Sequence, residues 1–462
     1  MNTMDVRTVA EVTGGQILHN GAAVVVTGYS TDSRTLQPGD LFIPLRGEHF
    51  DGHDYLAQAV RNGAAACLSE EVVAGLTIPV VQVRDTLQAL GDLAQAVRQR
   101  FAGPVIGVTG TTGKTTTKEM LAAILARTGP GLKSAGNFNN LIGVPLTLFG
   151  LLPEHQLAVI EMGMSARGEI ARLAQVAAPR IGVITNVGAG HLENLGGISG
   201  VARAKGELFI ALPSGGTALI NADDPEIGRL PLANGVRRVL FGTSSVAQVR
   251  ASEIVAIDGA VHFTLHLPEG SVPVQLPVPG RHNVQNALAA AAAAWVLEVA
   301  PADIVAGLAD FRPCPGRMEL IELPGDILVL EDSYNANPLS MRAALDALHD
   351  LGRHRRRLAV LGDMLELGPA ARDLHFEVGT MVAERADWLM TLGELAREIA
   401  TGAAASGLAA ERIFCAATVE ELHDRLHELL QPGDRLLVKG SRGMRMERII
   451  ARLRGTTPAA GH

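Results

Sequence analysis

Aromatic side chains are scarce in this chain. Two tryptophans, three tyrosines and eleven phenylalanines make up 3% of the 462 residues, although 47% of them are hydrophobic. The cores must therefore be built from alanine, valine, leucine and isoleucine. Cysteine is nearly absent as well. Cys67, Cys314 and Cys415 lie far apart with no metal-ligand spacing, which excludes a disulfide scaffold and a cysteine zinc site and fits unpaired thiols in a reducing cytoplasm. Positive charge is not in excess: 40 Lys and Arg against 48 Asp and Glu give a net charge of −8 and a pI near 6.0. That balance argues against a dedicated nucleic-acid surface, and the basic runs at 353–357 and 442–448 are short. The longest apolar tract, 287–300, is alanine-rich, short and flanked by polar residues, so no membrane span is expected. Asp5, Arg7 and Glu11 interrupt the opening segment, so no secretory signal is expected either, and a cytoplasmic location follows. Internal repeats are also missing.

What is present is concentrated at residues 105–117, Val-Ile-Gly-Val-Thr-Gly-Thr-Thr-Gly-Lys-Thr-Thr-Thr. An apolar strand over 104–108 runs into a glycine-rich turn, which opens a helix over 115–125. Such a turn aims several backbone N–H groups at one point, with the positive end of a helix dipole behind them. Lys114 is placed to reach the outer phosphates of a nucleotide, and the Thr115 hydroxyl to hold its Mg²⁺. Val108 stands where an ordinary phosphate loop has its first glycine, with Gly107 and Gly110 on either side. The stretch predicts binding of ATP or GTP.

The chain is long enough for about three domains. Residues 1–100 mix short strands with helical stretches at 55–63 and 86–101. From residue 101, strands and helices alternate (157–161, 167–177, 181–186), the pattern of a parallel sheet covered by helices. Between 237 and 279 short alternating strands with Gly and Pro turns predict a small antiparallel addition. The Pro-rich stretch 311–316 marks a second boundary near residue 312. Beyond it, strand-like runs at 327–330, 358–361, 388–392 and 436–438 predict a second doubly wound domain over 313–462.

Several polar residues sit at expected strand ends. Glu161 closes the run 157–160, where a carboxylate completes an Mg²⁺ site beside a phosphate loop. His191, in 188–193, falls on the same sheet edge. Lys205 reads as a helix-surface lysine. Asn283 suits a helix cap, while Asn286 is placed to hydrogen-bond a base or a phosphate-linked group. Arg317 stands at the second boundary, where a guanidinium reaches phosphate oxygens. Residues 331–338, which include Asp332, Tyr334, Asn335 and Asn337, follow a strand and precede a helix, a place suited to ligand recognition. His375 falls on a helical stretch and reads as structural.

These pieces together resemble the Mur ligase family, ATP-dependent amide-forming enzymes of bacterial cell-wall precursor synthesis. The matching segments are 109–115, 161–163, 190–193, 204–207, His282-Asn283 with Asn286, and 315–317; they span nearly the whole chain. The resemblance implies an α/β fold of three domains: an N-terminal UDP-binding domain, a central P-loop ATPase domain and a C-terminal Rossmann-like domain. It implies an ATP cradle of Gly110, Thr111, Thr112, Gly113, Lys114, Thr115 and Thr116, with Asn286, Arg317, Asp332 and Tyr334. It further implies two Mg²⁺ ions, the first on Thr115 and Glu161, the second on Glu161, His191 and a Lys205 carbamylated by CO₂. Ser33 and Arg34 would contact the uridine diphosphate end, and Asn137, Asn139 and Asn140 would line a peptide path. Four stretches (136–143, 332–338, 361–368 and 438–444) resemble the branch of the family that joins D-alanyl-D-alanine to a UDP-N-acetylmuramoyl-tripeptide. A monomer with no nucleic-acid partner is expected. The rival readings are another ligation step of the same family, a folylpolyglutamate synthase-like ligase, and a non-enzymatic P-loop switch.

Overall fold

The computed structural model describes residues 3–18, 21–190 and 195–455. Each of the three sections is built round its own sheet. In the first, strands Gln16–Ile17, Val80–Gln82, Ala66–Ser69, Asp40–Phe42 and Gly28–Ser30 lie side by side in that order. Helix Thr86–Gln99 packs its buried face (Leu90, Leu93, Ala94 and Val97) toward the central section. The amphipathic opening forms helix Val6–Thr13, started by the Asp5 carboxylate, which accepts from Thr8 N–H at 2.8 Å. The stretch expected to be helical over 55–63 is a 3₁₀ turn, Gly52–Tyr55, continued by helix Leu56–Arg61.

Among the described residues the central sheet has nine strands. Val105–Thr109 lies between Leu157–Glu161 and Ile181–Ile184, all parallel, with Gly131–Lys133 at the edge beyond Leu157–Glu161. The chain visits one side of Val105–Thr109 before the other, so the strand order reverses there. Ligands of open α/β sheets bind outside the carboxyl ends of the strands at such a point. The antiparallel addition is present in altered form. Arg237–Gly242 still runs parallel to Thr217–Asn221, and Val249–Ile257 parallel to Arg237–Gly242; the antiparallel pairings are those of Ala260–Leu267 with Val249–Ile257 on one side and Gly270–Leu276 on the other, extending the same sheet. Ala260–Leu267 alternates half-buried and buried residues, the period of a strand with one covered face.

The aromatic-poor composition finds its use behind the phosphate loop. Helix His282–Val296 has eight consecutive buried residues, Ala287 to Ala294, and packs on helix Lys114–Leu125. Helix Pro301–Asp310 approaches the latter so closely that a Cβ at Gly307 would lie 2.3 Å from the Ile124 Cα. Small side chains permit this spacing, and larger ones would force the helices apart.

Among the described residues the C-terminal sheet has six strands in the order Glu319–Leu323, Ile327–Asp332, Arg435–Lys439, Arg357–Gly362, Trp388–Leu392, Ile413–Ala416. All are parallel except the first. The sections share apolar cores: one cluster joins Ile106 and Leu121 to Met341 and Leu437, another joins Val9 and Leu93 to Leu148 and Leu173. Tyr29 stacks on Phe149 across the first junction at 4.0 Å. Among the described residues no helix is long and apolar enough to cross a membrane.

Candidate active site

The phosphate loop leaves strand Val105–Thr109 and enters helix Lys114–Leu125 through Gly113, whose φ of +77° is left-handed. A Cβ there would meet Asn286 Oδ1 at 2.1 Å, so glycine is required both by the backbone and by the close approach of Asn286. Asn286 is buried against the loop, where its Oδ1 accepts from Thr117 Oγ1 at 3.4 Å and its Nδ2 donates to Asn283 Oδ1 at 2.9 Å. Asn283 donates in turn to the Pro279 carbonyl at 2.7 Å. The expected cap is therefore not formed: Asn283 lies inside the helix, and its amide braces the preceding turn and Asn286.

Two residues at the end of the neighbouring strand fix the loop from the other side. Thr185 Oγ1 donates to the Thr112 carbonyl at 2.6 Å, and Asn186 Oδ1 accepts from Thr112 N–H at 2.9 Å while its Nδ2 reaches Thr112 Oγ1 at 2.9 Å. Neither was singled out by the sequence; their position at the end of strand Ile181–Ile184 was the available signal. With its N–H groups so aimed, the loop forms an anion cradle. Lys114 folds over it, donating to the carbonyls of Gly110 at 2.9 Å and Thr111 at 3.4 Å. Burial pulls the Lys114 ammonium below its usual range; Glu161 opposes this and Arg317 adds to it.

Thr115 and Glu161 are brought together, Oγ1 donating to Oε2 at 2.9 Å, with Asn139 Nδ2 donating to the other carboxylate oxygen at 2.9 Å. Glu161 is 1% exposed. A buried hydroxyl and carboxylate beside an anion cradle form an oxygen donor set suited to a hard divalent cation. Lys205 departs from its expected surface position. It is 3% exposed on helix Ile198–Ile210, it lines the same cavity, and among the described residues no partner is recorded for its amine. Burial, reinforced by Lys114, holds its pKa well below the ordinary lysine value. His191, expected beside it, lies outside the described residues.

The cavity measures about 1090 Å³ and draws its walls from both larger sections. From the C-terminal side come Arg317, Asp332, Tyr334, Asn335 and Asn337; from the central side Thr111 to Thr116, Asn137, Asn139, Asn140, Glu161, Lys205 and Asn286. Arg317 lies flat over Tyr334, its Cζ 3.8 Å from the ring centre. Asp332 is paired with Lys439, a lysine 1% exposed that also donates to the Asn335 carbonyl at 2.9 Å. Asn337 caps helix Pro338–Leu351 in a reciprocal bond with Ser340. Ser33 and Arg34 do not line this cavity: Ser33 is buried, and its carbonyl accepts from Asn62 at 2.7 Å, while Arg34 is exposed and pairs with Asp32 at 2.6 Å. His375 is structural, as expected. Its two ring nitrogens meet the Ala371 carbonyl at 2.6 Å and Met364 N–H at 2.9 Å.

Fold and site together define a nucleotide-dependent ligase, and comparison with known proteins agrees. Family models match as Mur ligase family, catalytic domain (residues 25–98), Mur ligase middle domain (108–294) and Mur ligase, glutamate ligase domain (316–442). The chain belongs to the Mur ligase family. It is 39% identical over 456 residues to the UDP-N-acetylmuramoyl-tripeptide–D-alanyl-D-alanine ligase of Escherichia coli K12, covering 98% of this chain and 99% of that one. A crystal structure of MurF from Acinetobacter baumannii superposes with a TM-score of 0.91 at 35% identity, covering 98% and 99% of the two chains. MurF ligase from Thermotoga maritima in complex with ADP superposes with a TM-score of 0.84 at 27% identity, covering 93% and 97%.

Proposed function

We propose that this chain joins D-alanyl-D-alanine to UDP-N-acetylmuramoyl-tripeptide at the expense of ATP, giving the pentapeptide precursor of peptidoglycan, ADP and phosphate. The observation that carries the reading is the meeting, in one cavity, of the phosphate loop, the Thr115–Glu161 pair and the Arg317–Tyr334 stack. The near-full-length likeness to ligases named for this reaction supports it.

The chemistry has two parts. The tripeptide's terminal carboxylate attacks the γ-phosphorus of ATP, one P–O bond forms as the bond to ADP breaks, and an acyl phosphate results. The amine of D-alanyl-D-alanine then attacks the acyl carbon, loses a proton and expels phosphate. Two anions must approach each other in the first part. Lys114, Arg317 and the loop N–H groups lower that barrier by neutralising charge on the transferring group. Thr115 and Glu161 would hold one Mg²⁺, and Glu161, His191 and carbamylated Lys205 a second; bound there, the ions supply further neutralisation. CO₂ adds to neutral amines, and Lys205, buried and without a partner among the described residues, is suited to that reaction. Asn286, Asp332 and Tyr334 bind the nucleoside, and Asn137, Asn139, Asn140, Asn335 and Asn337 orient the peptides.

We assign residues 1–100 to the UDP-sugar end, with Ser33 and Arg34 as its contacts, 101–312 to ATP and 313–462 to completion of the ATP site and the incoming dipeptide. The chain acts as a cytoplasmic monomer. The test is phosphate release and product mass with UDP-tripeptides carrying lysine or diaminopimelate, with and without D-alanyl-D-alanine. Dependence on the dipeptide supports ligation; nucleotide turnover indifferent to it would favour a P-loop switch.

A further inference from the structure

Lys118 is fully buried and belongs to none of the roles above. It sits one turn beyond Thr115 on the phosphate-loop helix. Its Nζ donates to the Ser134 carbonyl at 2.8 Å and stands 3.1 Å from Glu119 Oε1 and 3.7 Å from Glu161 Oε2. Ser134, also fully buried, accepts from Glu161 N–H through its hydroxyl at 3.0 Å. Glu119 is paired on its far side with Lys133. Lys118, Lys133, Glu119 and Glu161 thus form a balanced set of two positive and two negative charges. Buried lysines are rare, and this one lies behind Glu161, the carboxylate proposed above to hold Mg²⁺.

We propose that Lys118 is a positioning residue that stands in for the metal. Before nucleotide arrives it neutralises Glu161, holds the carboxylate against Thr115, and opposes capture of a free divalent cation. Phosphate oxygens then bring the charge and ligands that tip the balance, so the ion enters with the nucleotide. A lysine so placed also links the metal ligand, through Ser134, to the segment that continues to Asn137, Asn139 and Asn140. The inference rests on the proposed Thr115–Glu161 metal site.

The test is Mn²⁺ binding followed by electron paramagnetic resonance, on the full chain without substrates and again with a non-hydrolysable ATP analogue. The unaltered protein should bind Mn²⁺ at least tenfold more tightly with the analogue, over and above the analogue's own affinity for the ion. Lys118→Met should tighten binding to the nucleotide-free protein about tenfold and shrink the gain from the analogue, whereas Lys118→Arg should keep the original pattern. Equal Mn²⁺ affinity in Lys118→Met and the unaltered protein would overturn the proposal. If Lys118→Met does not fold, absence of coupling between analogue and Mn²⁺ in the unaltered protein overturns it alone. Glu161→Gln separates the two ideas: unchanged Mn²⁺ binding in that variant removes the metal site itself, whatever Lys118 does.

Discussion

The Arg317 guanidinium lies over the face of the Tyr334 ring at 3.8 Å, with the Arg442 guanidinium 5.9 Å from the same ring centre. The ring aims Arg317 into the cavity from the C-terminal section, and the pair fixes how that section presents charge to the phosphate loop. A guanidinium over a tyrosine is worth about 0.5–2 kcal/mol. Tyr334→Leu should therefore raise KM for ATP by roughly 2- to 30-fold with little change in melting temperature. Arg317→Lys should lose more than charge conservation suggests, because an ammonium neither stacks nor forks. Steady-state kinetics at saturating dipeptide decides both.

Among the described residues the hydrogen bonds of Lys114 run to loop carbonyls, and it belongs to neither apolar core. Lys114→Ala should keep its melting temperature within a degree or two and lose essentially all turnover. Near-normal ligation by the folded variant would remove the phosphate loop from the mechanism.

Lys205 offers a sharper contrast. A lysine on a solvated helix face would tolerate replacement, but this one is buried without a recorded partner among the described residues. Lys205→Ala should be almost inactive and should recover partially when acetate supplies a carboxylate in the vacated space. An intact mass spectrum under CO₂ should also show the carbamate on the unaltered protein and not on the variant. A variant that is active without acetate ends this reading.

Two histidines make stability depend on pH. Burial pushes His282 down to about 4, with Asp332 opposing, and lowers His375 as well, opposed by its bond to the Ala371 carbonyl. Unfolded histidine titrates near 6.5, so between that pH and the folded value the unfolded chain binds more protons. Stability is then highest above about pH 6.5 and falls as pH drops toward 4, by about 1–3 kcal/mol for His282. Denaturant melts from pH 7.5 to 4.5 should show this slope. His282→Gln should flatten it, and an unchanged slope would assign the acid sensitivity elsewhere.

Much of the architecture was legible in order along the chain. The phosphate loop, the strand ending in Glu161 and the strand Trp388–Leu392 are local patterns, set by apolar runs and glycine positions that need no distant partner. Strand Ile413–Ala416 was not foreseen, because it is short and only partly buried at the sheet edge. The parallel pairing of Arg237–Gly242 was also missed, since alternation alone does not state which neighbour a strand joins.

The sequence by itself determined which residue types stand at the strand ends: a lysine and a threonine after a glycine turn, a carboxylate after an apolar run, amides and an arginine at the next boundaries. Only the tertiary structure decided what those residues meet. Thr185 and Asn186 hold Thr112 from more than 70 positions away, Asn286 presses on Gly113, and Lys118 and Lys205, which look alike on a helix, are both taken out of water. The reason is physical. Local pattern fixes a residue's direction along its own element, whereas burial and partnership come from the elements packed against it, and here those come from both sides of a parallel sheet and from a second domain.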